Sequence, residues 1–174
     1  LLGPIGNTFS ISKSNSFPIL VGGGVGLAPI LNLKHQCEQS NIDHVIIIGS
    51  KNSNEQFMRH EPHKNIYLTT DDGSIGEHGT VMKPLENIIK EHKNPYLYAC
   101  GPEPMMKAIR NYSTDNQISA QLSVESYMGC GVGLCQGCVI HNMSEDIDEH
   151  TYHQKYSLVC VDGPVYDAKD IYFE

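Results

Sequence analysis

The sequence lacks three features, each of which would point to a particular class of protein. No apolar run approaches the roughly 20 residues that a membrane-spanning helix needs. The first residues carry neither the basic nor the apolar segment of a secretory signal peptide. Basic residues are scarce, because 12 Lys and Arg stand against 20 Asp and Glu and leave a net charge of −8, which argues against binding to a nucleic-acid backbone. We therefore expect a soluble, cytoplasmic protein with no membrane and no nucleic-acid partner.

Cysteine is plentiful by comparison and is concentrated in one part of the chain. Of the six cysteines, three follow the spacing C-x4-C-x2-C and a fourth comes further on, an order of thiolates typical of a plant-type [2Fe–2S] cluster. The predicted metal ligands are Cys130, Cys135, Cys138 and Cys160. Zinc sites more often combine two closely spaced cysteine pairs. Zinc, redox thiols and disulfides remain the alternatives.

Glycines alternate with the first three of these cysteines. Because glycine adopts positive φ angles at little steric cost, such a loop turns sharply and brings its amide groups close to an anionic cluster. A cluster in turn implies that the protein transfers electrons.

Upstream of the cysteines, short apolar runs alternate with stretches of helical periodicity. We predict strands at residues 17–21, 45–48, 66–70, 95–100 and 118–124, and helices at residues 28–38, 80–90 and 102–112. This alternation predicts an α/β fold with a parallel, doubly wound sheet. Downstream, shorter β-like segments at residues 138–141, 157–161 and 170–173 predict a small β-rich subdomain. We therefore place a domain boundary between residues 124 and 125.

A glycine-rich turn at residues 22–29 joins the first predicted strand to the first predicted helix. In this setting backbone amides and a helix N-terminus can meet a pyrophosphate. The turn does not match G-x-G-x-x-G, because Pro29 stands where the last glycine belongs, so a tight turn without a ligand remains an alternative. Turns at residues 49–51, 71–74 and 100–105 follow three further strands and converge on the same sheet edge, where ligands bind in open parallel sheets. The sequence thus predicts a nucleotide cleft. For Asp71 and Asp72 we favour a role in the turn.

These segments resemble known families. Residues 22–29, together with Cys100-Gly101-Pro102-Glu103-Pro104-Met105-Met106, resemble the NAD(P)-binding domain of ferredoxin–NADP reductase-like proteins. Residues 123–138 and 159–166 resemble the electron-transfer subunits of class 1B dihydroorotate dehydrogenases. Residues 3–9 are similar to the segment that joins the flavin and nucleotide domains in that family.

The resemblance implies an oxidoreductase subunit of pyrimidine biosynthesis that is not active alone. Its cofactors would be a [2Fe–2S] cluster, NAD(H) and FAD, and its partner the FMN-containing catalytic subunit, in a heterotetramer. Residues 1–124 would be the NAD(P)-binding domain and 125–174 the cluster domain. The family's FAD-binding barrel has no counterpart in this sequence, so residues 1–16 are interpreted as a remnant of the linker that follows it. The residues expected to bind the dinucleotide are Gly22, Gly23, Gly24, Val25, Gly26, Ala28, Pro29, Ser50, Cys100, Gly101, Pro102 and Met105.

Two other functions remain open. The chain could serve a different redox partner, as in ferredoxin:NADP or sulfide-linked oxidoreductases, which share nearly the same motifs. It could also be a zinc-stabilised, non-catalytic adaptor. The choice between NAD and NADP is open as well, because Lys51 suits a 2′-phosphate but no cluster of arginines accompanies it.

Overall fold

A computed structural model describes residues 3–11, 15–143 and 155–173. Residues 1, 2 and 12–14 of the predicted linker therefore lie outside the described residues. The strands are β1 (Phe17–Gly23), β2 (Val45–Ser50), β3 (Ile66–Thr70), β4 (Glu77–His78), β5 (Pro95–Cys100), β6 (Ser119–Ser123), β7 (Val139–Asn142), β8 (Tyr156–Leu158), β9 (Val165–Asp167) and β10 (Ile171–Tyr172). The α-helices are α1 (Leu27–Gln39), α2 (Met82–Glu91) and α3 (Glu103–Asp115).

The main sheet is built around the apolar strand β1. Within the described residues it has seven strands in the order β4-β3-β2-β1-β5-β6-β9, and all neighbours are parallel except β6 and β9. Ile19, Leu20 and Val21 of β1 are fully buried, as expected for a parallel strand covered on both faces. The order reverses between β1 and β5, the place where open α/β sheets bind ligands.

Helices cover both faces of this sheet, because successive side chains of a strand point to opposite sides. On one face, Leu20 and Ile46 pack in one cluster with Ile30 of α1. On the other face, Val21 packs in a second cluster with Leu85 of α2 and Ile109 of α3. The predicted doubly wound parallel sheet is confirmed.

The cysteine-bearing part of the chain forms a small antiparallel sheet in the order β10-β7-β8. Its apolar residues Ile140 and Ile171 join the same core cluster as α2 and α3. The short strand β9 leaves this region and pairs with β6 at the edge of the main sheet. The predicted small β-rich subdomain is thus present and is packed against the main sheet. The boundary between residues 124 and 125 stays a prediction.

None of the helices in the described ranges is long and apolar enough to cross a lipid bilayer.

Candidate functional site

The four predicted cysteine ligands come together in two pairs. The N–H of Cys130 donates to Sγ of Cys135 at 3.4 Å, and the N–H of Cys135 donates to Sγ of Cys130 at 3.3 Å. The N–H of Cys160 donates to Sγ of Cys138 at 3.4 Å. All six cysteines are free thiols. Sequence spacing predicted that the four would meet, and the structure adds which thiol is paired with which.

Backbone amides surround the sulfur of Cys130. The N–H groups of Val132 and Leu134 donate to its Sγ at 3.4 and 3.2 Å, beside that of Cys135. These donors, that of Val132 first and then that of Cys135, lower the pKa of the Cys130 thiol to about 6. A thiolate is the form that binds metal. The loop is therefore prepared to present a negatively charged sulfur at neutral pH.

Glycines make this arrangement of amides possible. Gly131 and Gly133 have φ angles of 70° and 81°, in the left-handed region that side chains disfavour. A Cβ at Gly129 would lie only 3.0 Å from Sγ of Cys135, so glycine there lets the backbone pass close to the sulfur. Four thiols and amides directed at the sulfurs fit an iron–sulfur cluster.

The pairing also bears on the kind of metal centre. Across the described ranges, no three His, Cys, Asp or Glu side chains are placed to hold one metal ion. The thiols stand as two pairs, and in a [2Fe–2S] cluster with four cysteine ligands each iron is held by two thiolates. Cys130 and Cys135 would hold one iron, and Cys138 and Cys160 the other.

The two pairs differ in burial. Cys130 and Cys135 are exposed, whereas Cys138 is buried and Cys160 is half-buried. The side chains next to the ligands are apolar and face solvent, namely Tyr127 at 95% exposure, Leu134 at 83%, Met128 at 51% and Val161 at 42%. We call these four residues the apolar rim. Large exposed apolar patches mark protein–protein contact sites, so the outer thiol pair lies on a surface suited to docking.

At the carboxyl edge of the main sheet, the structure brings two predicted nucleotide-binding segments into contact. A Cβ at Gly26 would lie 2.4 Å from the carbonyl carbon of Cys100 and 2.5 Å from the nitrogen of Gly101. A Cβ at Gly23 would lie 3.0 Å from Sδ of Met105 and 3.2 Å from Pro102. The glycine turn therefore packs directly on the turn that follows β5.

Two residues of the glycine turn face solvent. Residues 24–26 form one 3-10 turn, and α1 follows at Leu27. Gly24 has a φ angle of 55° and Val25 is exposed, while Ala28 and Pro29 stand in the first turn of α1. Gly24 and Val25, whose backbone amides would meet a pyrophosphate, are thus exposed, whereas Gly26 is buried.

The residues after β2 are engaged in their own loop. Oγ of Ser50 donates to the carbonyl of Asn52 and accepts from Nε2 of Gln56, and the N–H of Lys51 donates to Glu55 at 3.0 Å. In the turn after β3, the Ser74 hydroxyl and then its N–H lower the pKa of Asp72. This hydrogen bonding agrees with the turn role favoured for Asp72. In the loop after β2, a ligand that bound the Ser50 hydroxyl would have to displace the hydrogen bond that Gln56 donates to it.

Cys100 ends β5 beside both turns. Its burial raises the pKa of the thiol, and a hydrogen bond with Ser123 partly opposes this. The neutral thiol suits a contact with a ligand rather than a nucleophilic role.

A cavity of about 700 Å³ lies between the two halves of the site. Its walls come from Gly101, Pro102 and Glu103 on the nucleotide side, from residues 124–127, and from β7, Tyr172 and Phe173 on the side of the small sheet. Its volume is in the range of small-molecule sites. Sequence reasoning did not find this cavity, since no local pattern links residues 101–103 with the end of the chain.

Comparisons with known proteins match both halves of the chain. Residues 20–111 match the oxidoreductase NAD-binding domain, and residues 125–172 match the iron–sulfur cluster binding domain of dihydroorotate dehydrogenase B. A dihydroorotate dehydrogenase B (NAD(+)) electron transfer subunit from Fusobacterium nucleatum is 34% identical, over 100% of this chain and 65% of its own length. The corresponding subunit from Caldanaerobacter subterraneus is 35% identical, over 99% of this chain and 66% of its own length. The chain therefore spans just under two thirds of these relatives.

Solved structures share the fold. An NADH-dependent reduced ferredoxin-NADP oxidoreductase, solved in a study of flavin-based electron bifurcation, superposes with a TM-score of 0.78 at 24% identity, covering 98% of this chain and 59% of its own. The ferredoxin reductase in carbazole 1,9a-dioxygenase gives 0.54 at 19% identity, covering 67% of this chain and 38% of its own.

Proposed function

The chain belongs to the oxidoreductase NAD-binding family and carries an iron–sulfur cluster binding domain of the dihydroorotate dehydrogenase B type, and on that premise we propose that it is an electron transfer subunit. It relays electrons through a [2Fe–2S] cluster between a flavin and NAD(H) centre and the FMN of a dihydroorotate dehydrogenase catalytic subunit. The curated relatives carry the name of that electron transfer subunit.

The observation that carries this proposal is the pairing of four free thiols within a cradle of amides. Cys130, Cys135, Cys138 and Cys160 are the ligands in the proposal. The bound cluster would supply one-electron transfer, and the protein holds the thiolates in place. The N–H groups of Val132 and Leu134 at the Cys130 sulfur favour added negative charge there, because hydrogen bonds to sulfur stabilise the reduced state.

The nucleotide half of the proposal rests on the two turns in contact at Gly26 and Cys100. The exposed residues Gly24 and Val25 would offer backbone amides to the pyrophosphate. Cys100, Gly101, Pro102 and Met105 would line the nicotinamide end. The cavity adjoining Pro102 is also lined by Tyr127, near the cluster loop, which supports the proposal that a planar redox ring lies between the two carriers.

A flavin belongs to the proposal for a chemical reason. NAD(H) exchanges two electrons as a hydride, whereas a [2Fe–2S] cluster passes one at a time, and flavins connect the two kinds of step. The FAD in the family resemblance would fill this role.

The partner proposal rests on the apolar rim. Tyr127 and Leu134 stand on the loop that carries the outer thiol pair, so a catalytic subunit that covers them would bring its FMN towards the cluster. We place the assembly, a heterotetramer, in the cytoplasm, where free thiols such as these stay reduced.

The test begins with protein purified without oxygen and analysed for iron, sulfide, zinc and flavin. We expect two irons and two sulfides per chain, and dihydroorotate-dependent NAD+ reduction when the chain, FAD and the catalytic subunit are mixed. A loaded chain that reduces NAD+ only with ferredoxin or a sulfide donor would replace the dihydroorotate assignment. One zinc without iron would overturn electron transfer and favour the adaptor.

A further inference from the structure

The side chain of Asn7 connects the beginning of the chain to the segment that follows the fourth cysteine. Its Nδ2 donates to the carbonyl oxygens of Asp162 and Val165 at 2.9 and 2.8 Å, and its Oδ1 accepts from the N–H of Val165 at 2.8 Å. The N–H of Asn7 donates to the carbonyl of Gly163 at 2.6 Å. A Cβ at Gly6 would lie 2.5 Å from that same oxygen, so the two segments run in close backbone contact.

Asp162 closes a turn that contains Cys160. The carboxylate of Asp162 accepts from the N–H of Leu158 at 2.8 Å and from the hydroxyl of Ser157 at 3.1 Å. The N–H of Asp162 donates back to the carbonyl of Leu158 at 2.8 Å. Cys160 stands in the middle of this closed turn. Its N–H donates to the Cys138 sulfur, and the N–H of the preceding Val159 donates to the Cys138 carbonyl at 2.9 Å, so a shift of the turn would move this hydrogen bond to sulfur.

The segment that carries Asn7 is also attached to the nucleotide sheet. The ring of Phe9 meets that of Tyr98 on β5 edge-on, with centroids 5.8 Å apart. Ser10 exchanges two hydrogen bonds with the side chain of Gln121 on β6, at 3.0 and 2.8 Å. Residues 7–10 therefore connect the central strands to the turn around Cys160.

We propose that Asn7 is a positioning residue for the cluster. Its side chain holds residues 162–165 by hydrogen bonds and thereby fixes Cys160 relative to the nucleotide sheet. The inference rests on the proposed function, since it concerns the same cluster. An amide is suited to this place because it donates to two carbonyls and accepts from one N–H at once. A carboxylate of the same size would face the carbonyl oxygens of Asp162 and Val165 with no proton to share.

The expected consequence reaches the cluster through the Cys160 amide. N–H···S hydrogen bonds stabilise the more negative, reduced cluster, and partners behind the ligands tune both potential and affinity. If the turn relaxes, the hydrogen bond from Cys160 to Cys138 lengthens. The reduction potential then becomes more negative and the iron is released more readily.

The experiment compares Asn7→Ala and Asn7→Asp with Thr8→Ala, which changes the neighbouring side chain and leaves these hydrogen bonds in place. Anaerobically loaded protein is titrated for its cluster potential, and iron release to a chelator is timed. We expect both Asn7 variants to show a more negative potential and a release about tenfold faster, the size typical for groups behind metal ligands. Thr8→Ala should match the unaltered chain.

A second readout does not depend on the cluster. In the metal-free protein, the Val165 amide should exchange its hydrogen faster in Asn7→Ala, because its acceptor is gone. NADH affinity serves as the check on folding and should not change.

An unaltered chain that takes up no iron would refute the proposed function and, with it, the role of Asn7 at a cluster, even if the Val165 amide exchanged faster in Asn7→Ala. A loaded chain whose potential and iron release are the same in Asn7→Ala, Asn7→Asp and Thr8→Ala would overturn the role of Asn7.

Discussion

The nucleotide sheet and the cysteine loop are ordered by different forces. Leu20 and Leu97 in the central strands are fully buried, so the sheet is stabilised by apolar burial that is independent of any ligand. The cysteine loop is exposed around Cys130 and Cys135 and is shaped by N–H···S hydrogen bonds and positive φ angles. Metal binding can replace a hydrophobic core in segments of this kind. Changes in the two regions should therefore have separable effects.

The largest effect is expected from Cys135→Ser. Loss of one thiolate leaves one iron with an incomplete ligand set, so the visible absorption of the cluster should disappear and the cysteine loop should lose order. NADH binding should survive, because the sheet does not depend on the metal. Absorbance, iron content and calorimetry measure this. The matched control is Cys37→Ala, which alters a buried cysteine of α1 and should keep the cluster. Full absorption in Cys135→Ser would remove Cys135 from the ligands.

The converse change is Leu97→Ala in the centre of the sheet. Removing a fully buried leucine should cost about 2–5 kcal/mol of the free energy of unfolding, as measured by urea denaturation. At low temperature the remaining folded protein should still load its cluster. Leu134→Ala, at an exposed position of the cysteine loop, is the control and should change stability by roughly 0.5 kcal/mol or less. Equal losses of stability in Leu97→Ala and Leu134→Ala would contradict the view that the sheet and the cysteine loop are ordered by different forces.

A smaller effect is the difference in NADH affinity between alanine variants of two glycines in the nucleotide turn. Gly26→Ala places a Cβ 2.4 Å from the backbone of Cys100, whereas the nearest atom to a Cβ at Gly24 is 3.9 Å away, on Pro102. Gly24→Ala therefore carries only the strain of its positive φ, about 1–2 kcal/mol, whereas Gly26→Ala must push the two turns apart. We expect NADH to bind more weakly to Gly26→Ala than to Gly24→Ala, by calorimetry. The opposite order would show that the contact at Cys100 does not shape the site.

The smallest effect concerns pH in the metal-free protein. The pKa of Cys130 is lowered to about 6 by backbone donors, so its thiolate persists from the ordinary thiol pKa down to that value. The stabilisation that the Cys130 thiolate gives to the loop is therefore fully present above the ordinary pKa of a thiol, and it is lost as the pH falls through about 6.

Alkylation at a series of pH values, followed by peptide mass spectrometry, tests whether the pKa of Cys130 is lowered. Cys130 should react with a midpoint near pH 6, and Cys37, whose pKa is raised by burial and then by Glu38, should remain unreactive. A midpoint for Cys130 near that of a free thiol would show that its amide donors are absent in solution.

Local sequence patterns predicted the main elements closely. The run at residues 66–70 is a strand over the same residues, and the run at 17–21 begins where β1 begins. Buried parallel strands show such apolar runs because both faces are covered. The strands β4 and β9 went unpredicted, since each is only two or three residues long and carries no apolar run that would indicate a strand.

What the sequence by itself determined is the chemistry: four thiols in cluster order, a glycine turn after a buried strand, and apolar runs typical of buried parallel strands. The tertiary structure alone decided which groups meet. The pairing of Cys138 with Cys160, the contact of Gly26 with Cys100 and the hydrogen bonds of Asn7 to Asp162 and Val165 join residues distant in the chain. Such contacts depend on how the sheet brings its edges and connections together, and no local preference of the backbone encodes them.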